Sequence, residues 1–399
     1  MEQVKRILHI VTTLNRGGAE TMIMNYYRAL DKSRYQFDFL VHRPDEGAYE
    51  REVREMGGRI YRALPIRPNT YHKYFKFLDV FFREHASEYI AVHAHIQENS
   101  GFAFKYAAKY GILNRISTSH IADAPIDYKY PFRLYASYFL YKYVTKRLAC
   151  GEKAGKTLYG KRAFMVFPNA IDSSLFRYDM DVRNAVRNEL GIGDSFVIGN
   201  TARLSGVKNH IFMLDILSEI IKTKKDVVML FLGEGGERPN IERQIEAKHL
   251  QKHVRMLGVR PDVYRIIQAY DIFLFPSKLE GLPVSVIEAQ AAGLKCFLSD
   301  IIDNSVDITG DITFMSLDNS SAEWAERIVS GIPYERKDNK VKIVKAGYDV
   351  EDNIGKLLAL YTQGQLTLLQ LLRLHTIGRG HCLYCITLYV VSQVKTLTG

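Results

Sequence analysis

The sequence predicts an α/β chain built as two doubly wound, Rossmann-like parallel-sheet domains that face each other across a cleft. Three observations predict it. The 399 residues exceed the size at which a single hydrophobic core usually stops growing. Apolar strand-like runs alternate with helical segments twice over, as parallel strands with crossover helices require. Between the two series, near residue 170, a Pro and Asn turn and a charged stretch interrupt the pattern.

In chain order, residues 7–13 form a first buried strand, 15–20 a glycine-containing turn and 21–30 a helix, while 37–42 and 89–93 read as further buried strands. These belong to a first domain, 1–172. The segment 166–171 brings a strand to Pro168 and Asn169, and 179–194 reads as a charged helical connection between domains. The second series has strands at 195–200, 227–232, 254–257 and 272–276, with helices at 211–221, 241–249, 263–269 and 283–292. It gives a second domain, 173–344. Residues 363–399 change character, with no Asp or Glu and three Lys or Arg. Their apolar stretches fall short of the roughly 18 uninterrupted residues of a spanning helix, so they read as a divergent, poorly ordered tail in preference to a membrane-surface helix.

The net charge of +10 lies in the first half: residues 1–172 hold 27 Lys and Arg against 17 Asp and Glu, whereas 173–399 balance at 27 against 27. A basic domain joined to a neutral one suggests an anionic partner for the basic one. Two of its segments, 61–82 and 128–147, interleave Tyr and Phe with Lys and Arg. One reading docks them on anionic lipid headgroups through Lys73, Lys76, Lys142 and Lys146; the other puts their rings in the core and their cations in water. Cys150, Cys296, Cys382 and Cys385 are too few and too scattered for a disulfide framework. Cys382 and Cys385 have CxxC spacing, but with His381 alone beside them they fall short of a four-ligand zinc set. A cytoplasmic location is therefore expected.

Three segments carry chemistry. Gly17 and Gly18 sit between the first strand and its helix, where bare amides can meet a phosphate; a plain tight turn explains them equally. RGGAET lacks the three spaced glycines of a dinucleotide fingerprint, which counts against a nicotinamide or flavin cofactor. In GNTARLSGVKNH, Arg203 and Lys208 occupy one loop, where an Arg fork and an ammonium can stabilise a departing pyrophosphate without a metal. A solvated basic loop is the alternative. In FPSKLEGLPVSVIEAQAAG a strand reaches Pro276, a loop carries Glu280 and Gly281, and Pro283 is placed at the start of a helix holding Glu288. Two carboxylates then meet one ligand from different elements and accept hydrogen bonds from hydroxyls. The amides of Gly281 and Leu282 add donors.

These residues resemble the retaining nucleotide-sugar glycosyltransferases of family 4, which have the GT-B fold, and in particular those of bacterial exopolysaccharide and capsule synthesis. The resemblance rests on GGAE at Gly17, His120 in STSHIAD, Arg203 and Lys208, LGEGGE at Gly233, GVRPDV at Gly258, and the E-x7-E pair Glu280 and Glu288. It implies that Arg203 and Lys208 bind the donor diphosphate, Glu280 the transferred sugar and Glu288 the ribose. It also implies that Gly17 and Gly18 meet the phosphates, that His120 lies near the sugar as a catalytic residue with Glu280, and that Val259 and Arg260 lie near the base. Ala202 and Asn209 stand where relatives commonly have Gly.

The resemblance further implies a helix at 345–362 crossing back to the first domain. It implies no metal or other cofactor, a UDP- or GDP-sugar donor and a lipid-linked or oligosaccharide acceptor. A peripheral station at the inner face of the cell membrane goes with that acceptor. A sugar-nucleotide epimerase on the same fold, or a basic nucleic-acid-binding protein, are the rival readings; the donor-type residues lie in the neutral half, and no nucleic-acid module is recognisable, so no nucleic acid is expected as a partner.

Overall fold

The computed structural model describes residues 3–121 and 127–362; the expectations for 363–399, including Cys382 and Cys385, fall outside them. In the first domain, strands β1 (Lys5–Val11), β2 (Tyr35–Val41), β3 (Ile60–Arg62), β4 (Tyr89–Ala94), β5 (Asn114–Ser119), β6 (Lys146–Ala149) and β7 (Met165–Val166) form one parallel sheet in the order β3-β2-β1-β4-β5-β6-β7. In the second, β8 (Phe196–Thr201), β9 (Val227–Leu232), β10 (Val254–Gly258), β11 (Ile272–Phe275), β12 (Lys295–Ser299) and β13 (Ile312–Met315) pair in parallel as β10-β9-β8-β11-β12-β13. Both orders reverse beside their first strand, β1 or β8. The carboxyl ends of strands at such a switch point are where open α/β sheets bind ligands.

The central strands read as apolar runs because helices cover both faces: β2 and β9 are buried at every position. Two apolar clusters flank the first sheet and two flank the second.

The chain leaves the second domain at Tyr348. Ile171 donates to the Tyr348 carbonyl at 2.8 Å and accepts from Val350 at 2.9 Å. The last described helix, Val350–Thr362, then packs Leu357, Leu360 and Tyr361 into the first domain's core. Its carboxyl end is held by Asn114, whose Nδ2 donates to the Tyr361 carbonyl at 2.7 Å, and by Lys146, whose ammonium meets the Leu360 carbonyl.

Two local expectations are corrected, and two open readings are divided between segments. The stretch 179–194 is not a free connection: its helix, Met180–Glu189, is capped by the Asp179 side chain and clamped to the second domain. Arg183 and Arg187 donate to the carbonyls of residues 268–270, and Arg183 lies 2.6 Å from the Asp271 carboxylate. Pro283 caps the helix Val284–Ala291 from outside, because its ψ of 105° is extended. The two aromatic segments also part ways. In the helix Tyr71–His85, Tyr74, Leu78, Phe81 and Phe82 are buried, so its rings serve the core. In the helix Tyr130–Tyr143 only Ala136 and Leu140 are buried, and Phe132, Leu134, Tyr135 and Tyr138 are exposed. Among the described residues, no helix is long and apolar enough to cross a membrane.

Candidate active site

The loop after β8 is stitched to its neighbour. Ala202 donates to the Leu232 carbonyl at 2.9 Å, Leu204 to Glu234 at 3.0 Å, and Glu237 returns to Leu204 at 3.1 Å. That approach explains the first two glycines of LGEGGE, Gly233 and Gly235. Gly233 has φ +142°, and a Cβ there would run into the Ala202 carbonyl oxygen; only glycine suits both demands. Asn209 takes the left-handed φ of +60° at the start of the helix His210–Thr223. Asn is among the few side chains that tolerate it, so the loop keeps its shape without glycine there. Ala202 is not among the residues with positive φ and needs no glycine.

The loop after β11 lies against this one. The amide of Lys278 donates to the Val207 carbonyl at 2.8 Å, which brings the Lys208 ammonium into an ion pair with Glu280 Oε1. Lys208 also lies 4.9 Å from the centre of the Phe275 ring, and Ser277 Oγ donates to Glu280 Oε1 at 2.7 Å. The carboxylate is thus oriented through one oxygen, which leaves Oε2 with no hydrogen-bond partner among the described residues. Arg203, exposed on the same loop as Lys208, has no hydrogen bond or ion pair with any described residue.

Glu288 sits in the second turn of Val284–Ala291, half-buried and equally unpartnered. Burial pushes its carboxyl from 4.5 up to about 7. Leu282 packs against the second domain's core, which fixes the backbone at the start of that helix, and Gly281 beside it is exposed. Val259 is exposed, whereas Arg260 spends its guanidinium on Asp262, at 2.8 Å through both Nε and Nη2. The Arg260 carbonyl accepts from Arg16 of the first domain at 3.4 Å. Arg16 therefore joins the two domains one residue before Gly17, which caps the helix Gly18–Ala29 with extended backbone.

Opposite, His120 follows β5. Its Nε2 lies 2.9 Å from His95 Nδ1, and His95 Nε2 lies 3.2 Å from His9 Nδ1. Burial pushes His120 down to about 4, against a small opposing effect of Asn169, and takes His9, His93 and His95 well below 6.5, so all four rings are neutral near pH 7. Ring nitrogens of His9, His93 and His95 gather within 4.8 Å of one another, a spacing that suggests a metal. Two of the three rings already have both nitrogens engaged, however: His93 bonds Tyr361 and Thr118 at 2.8 and 2.7 Å, and His95 bonds His9 and His120, which leaves His9 Nε2 as the one ring nitrogen of the three without a partner.

A cavity of about 760 Å³ opens between the domains, with Gly151, Lys153 and Pro168 on one wall and Gly281, Leu282, Ser305, Lys345 and Tyr348 on the other. The two halves of the chain match two family models, Glycosyltransferase Family 4 over residues 16–175 and Glycosyl transferases group 1 over 182–342. The chain belongs to the GT-B glycosyltransferases.

Among relatives of this enzyme, EpsF of Bacillus subtilis (strain 168), which is named as a glycosyltransferase, is 34% identical over 90% of this chain and 96% of its own. The capsular polysaccharide biosynthesis glycosyltransferase CapH of Staphylococcus aureus is 24% identical over 75% of this chain and 82% of its own. An Escherichia coli UDP-Gal:alpha-D-GlcNAc-diphosphoundecaprenol alpha-1,3-galactosyltransferase is 29% identical over 40% and 44%. The crystal structure of Anabaena HepE in complex with UDP and glucose aligns over 92% of this chain and 99% of its own, with a TM-score of 0.66 and 19% identity; it speaks to the fold. The enzyme resembles those of exopolysaccharide and capsule synthesis.

Sequence reasoning missed Arg16, Ser277 and the histidines behind His120. Arg16 was legible as a cation beside the glycine pair. His93 and His95, two apart at the end of a strand, share one face of the sheet, and that spacing was the available signal for them.

Proposed function

We propose that this glycosyltransferase moves a hexose or N-acetylhexosamine, with retention of configuration and without a metal, from a UDP-sugar to a lipid-linked glycan. The observation that carries the reading is the meeting of the β8 and β11 loops. Oriented Glu280, paired Lys208 and unpartnered Arg203 occupy adjacent loops at the carboxyl ends of neighbouring strands.

The two cations take the pyrophosphate, whose charge grows as the bond to the sugar breaks. Glu280 accepts from the sugar's hydroxyls through its free oxygen and Glu288 from the ribose, with Gly281, Leu282, Gly17 and Gly18 supplying amides and Val259 lying near the base. Arg260 contributes its backbone, since its charge is committed to Asp262. The UDP and glucose held by HepE and the donor and acceptor in the E. coli relative's name support a uridine nucleotide and a polyprenyl diphosphate glycan. The 760 Å³ cavity leaves room for the acceptor beside Gly281.

For the same acceptor, the rings of Tyr130–Tyr143 form a face for anionic lipid, with the exposed Lys142 near its end. Lys146 is excluded from that face, because its ammonium holds the crossing helix.

Thermal shift against UDP- and GDP-sugars tests the donor, since a ligand bound only by the folded state raises the melting point. UDP-sugars should stabilise the parent and not Arg203→Ala. A shift with GDP-sugars alone would reject the uridine assignment, and a shift undiminished in Arg203→Ala would reject the site.

A further inference from the structure

The described residues link His120 to two histidines that do not line the large cavity between the domains. His120 Nε2, His95 and His9 Nδ1 form an unbroken chain, with links of 2.9 and 3.2 Å. A neutral imidazole carries one N–H and one lone pair, so in such a chain every ring must donate in the same direction. The outer end bears on which direction that is, and the inner end accommodates it.

At the outer end, His120 Nδ1 and Asn169 Oδ1 are both buried without a partner, and Asn169 is the side chain that favours protonation of His120. No hydrogen bond within range joins the two, but an amide oxygen only accepts, so a hydrogen on His120 Nδ1 is the placement that can satisfy both bare atoms. At the inner end, His9 Nε2 is buried and bare, and so is the hydroxyl of Tyr26. Both residues line a void of about 10 Å³, close to the space of one water. A hydroxyl or a water there can donate to Nε2, so the inner end accommodates the direction that the outer end sets.

We infer that His95 and His9 are positioning residues of the transfer reaction: they hold the His120 ring in its Nδ1–H form, aimed at Asn169, and thereby fix the end of β5 beside the transferred sugar. All three rings are then Nδ1–H tautomers. The His120 ring has neither a free lone pair nor a spare proton, so it is a fixture of the cleft and not its base. The kinetic part of this rests on the reading of His120 as a residue of the active cleft; the tautomers do not.

The test uses the full chain with ¹⁵N-labelled histidine and a transfer assay. Long-range ¹H–¹⁵N correlation should show Nδ1–H at His9, His95 and His120; Nε2–H at His95 or His120 overturns the chain's direction. Two substitutions divide the links, because the amide of Asn overlays Nδ1 of histidine and that of Gln overlays Nε2. His95→Asn keeps the contact to His120 and should hold kcat within about threefold, whereas His95→Gln keeps only the contact to His9 and should lose roughly tenfold or more with the donor KM unchanged. Equal losses in both, at equal melting temperatures, overturn the positioning role. Parental kcat in His120→Phe would overturn the reading of His120 itself while leaving the tautomer result standing.

Discussion

Replacing Glu288 by Gln should make the protein more stable at pH 8 and poorer at holding its donor. In the folded chain burial holds this carboxyl at about 7, against 4.5 when it is free. The raised value means that the folded state binds the proton more tightly than the unfolded one. Stability therefore falls as pH rises from about 4.5 to 7 and stays low above 7. At roughly 1.4 kcal/mol per pH unit the full penalty is about 3 kcal/mol. Some surface of Glu288 remains open, so about 1 to 3 kcal/mol is the expected gain from a neutral isostere.

For a chain of this size each kcal/mol moves the melting point by roughly 2–4 °C. Calorimetry of parent and Glu288→Gln at pH 5 and pH 8 should show curves that nearly coincide at pH 5 and separate by several degrees at pH 8. A separation of the same size at both pH values, or a less stable variant at pH 8, would refute the reasoning, because neither follows from an ionised carboxyl without a partner. The same group gives the donor its pH dependence: if only the ionised form accepts from the ribose, the donor Kd should worsen about tenfold per pH unit below 7, and titration calorimetry from pH 6 to 8 would show it.

The remaining predictions concern geometry already in place. Arg203→Ala should lower kcat by roughly 10²- to 10³-fold, as loss of one stabiliser of developing charge does elsewhere, with little change in melting temperature, since the exposed Arg203 side chain makes no hydrogen bond or ion pair with a described residue; transfer kinetics check it. Gly233→Ala should cost about 1–3 kcal/mol and raise the donor KM, because the new Cβ displaces the Ala202 carbonyl one residue before Arg203; thermal denaturation and kinetics read both. Replacing Phe132, Leu134 and Tyr138, all exposed, by Ser should abolish flotation with anionic vesicles with little change in melting temperature. Neutralising Lys73 and Lys76 should matter less, because the rings of their helix face inward.

The second domain was more legible than the first for a physical reason. Its strands β9 and β11 are continuous apolar runs and β8 opens on one, and buried parallel strands announce themselves that way. In the first domain β5 reads NRISTS and β6 is four residues long, so neither carries a hydrophobic signal. β5 can be polar because two of its side chains are used: Thr118 bonds His93 and Ser119 donates to the Ala154 carbonyl at 2.7 Å, while the Ser117 carbonyl accepts from Tyr159. Burial without hydrophobicity is visible only once the partners are known. The site followed the same division. Arg203, Lys208, Glu280 and Glu288 stood out by charge and spacing, while Arg16 and His95 matter through partners 244 and 25 residues away.

Ser277 shows how that division bears on the chemistry. It reads as one more loop serine, yet its hydroxyl and the Lys208 ammonium converge on the same oxygen of Glu280. Two donors on one oxygen leave the other to point away from both, so the loop gives the carboxylate a direction before any sugar arrives. Glu288 has no such support, and its carboxyl is raised where burial alone acts on it. Ion-pairing to Lys208 makes Glu280 compatible with the folded state, whereas Glu288 keeps a penalty that only a bound hydroxyl would relieve. Of the two acids in the E-x7-E segment, the second is therefore the one through which donor binding and stability should be coupled.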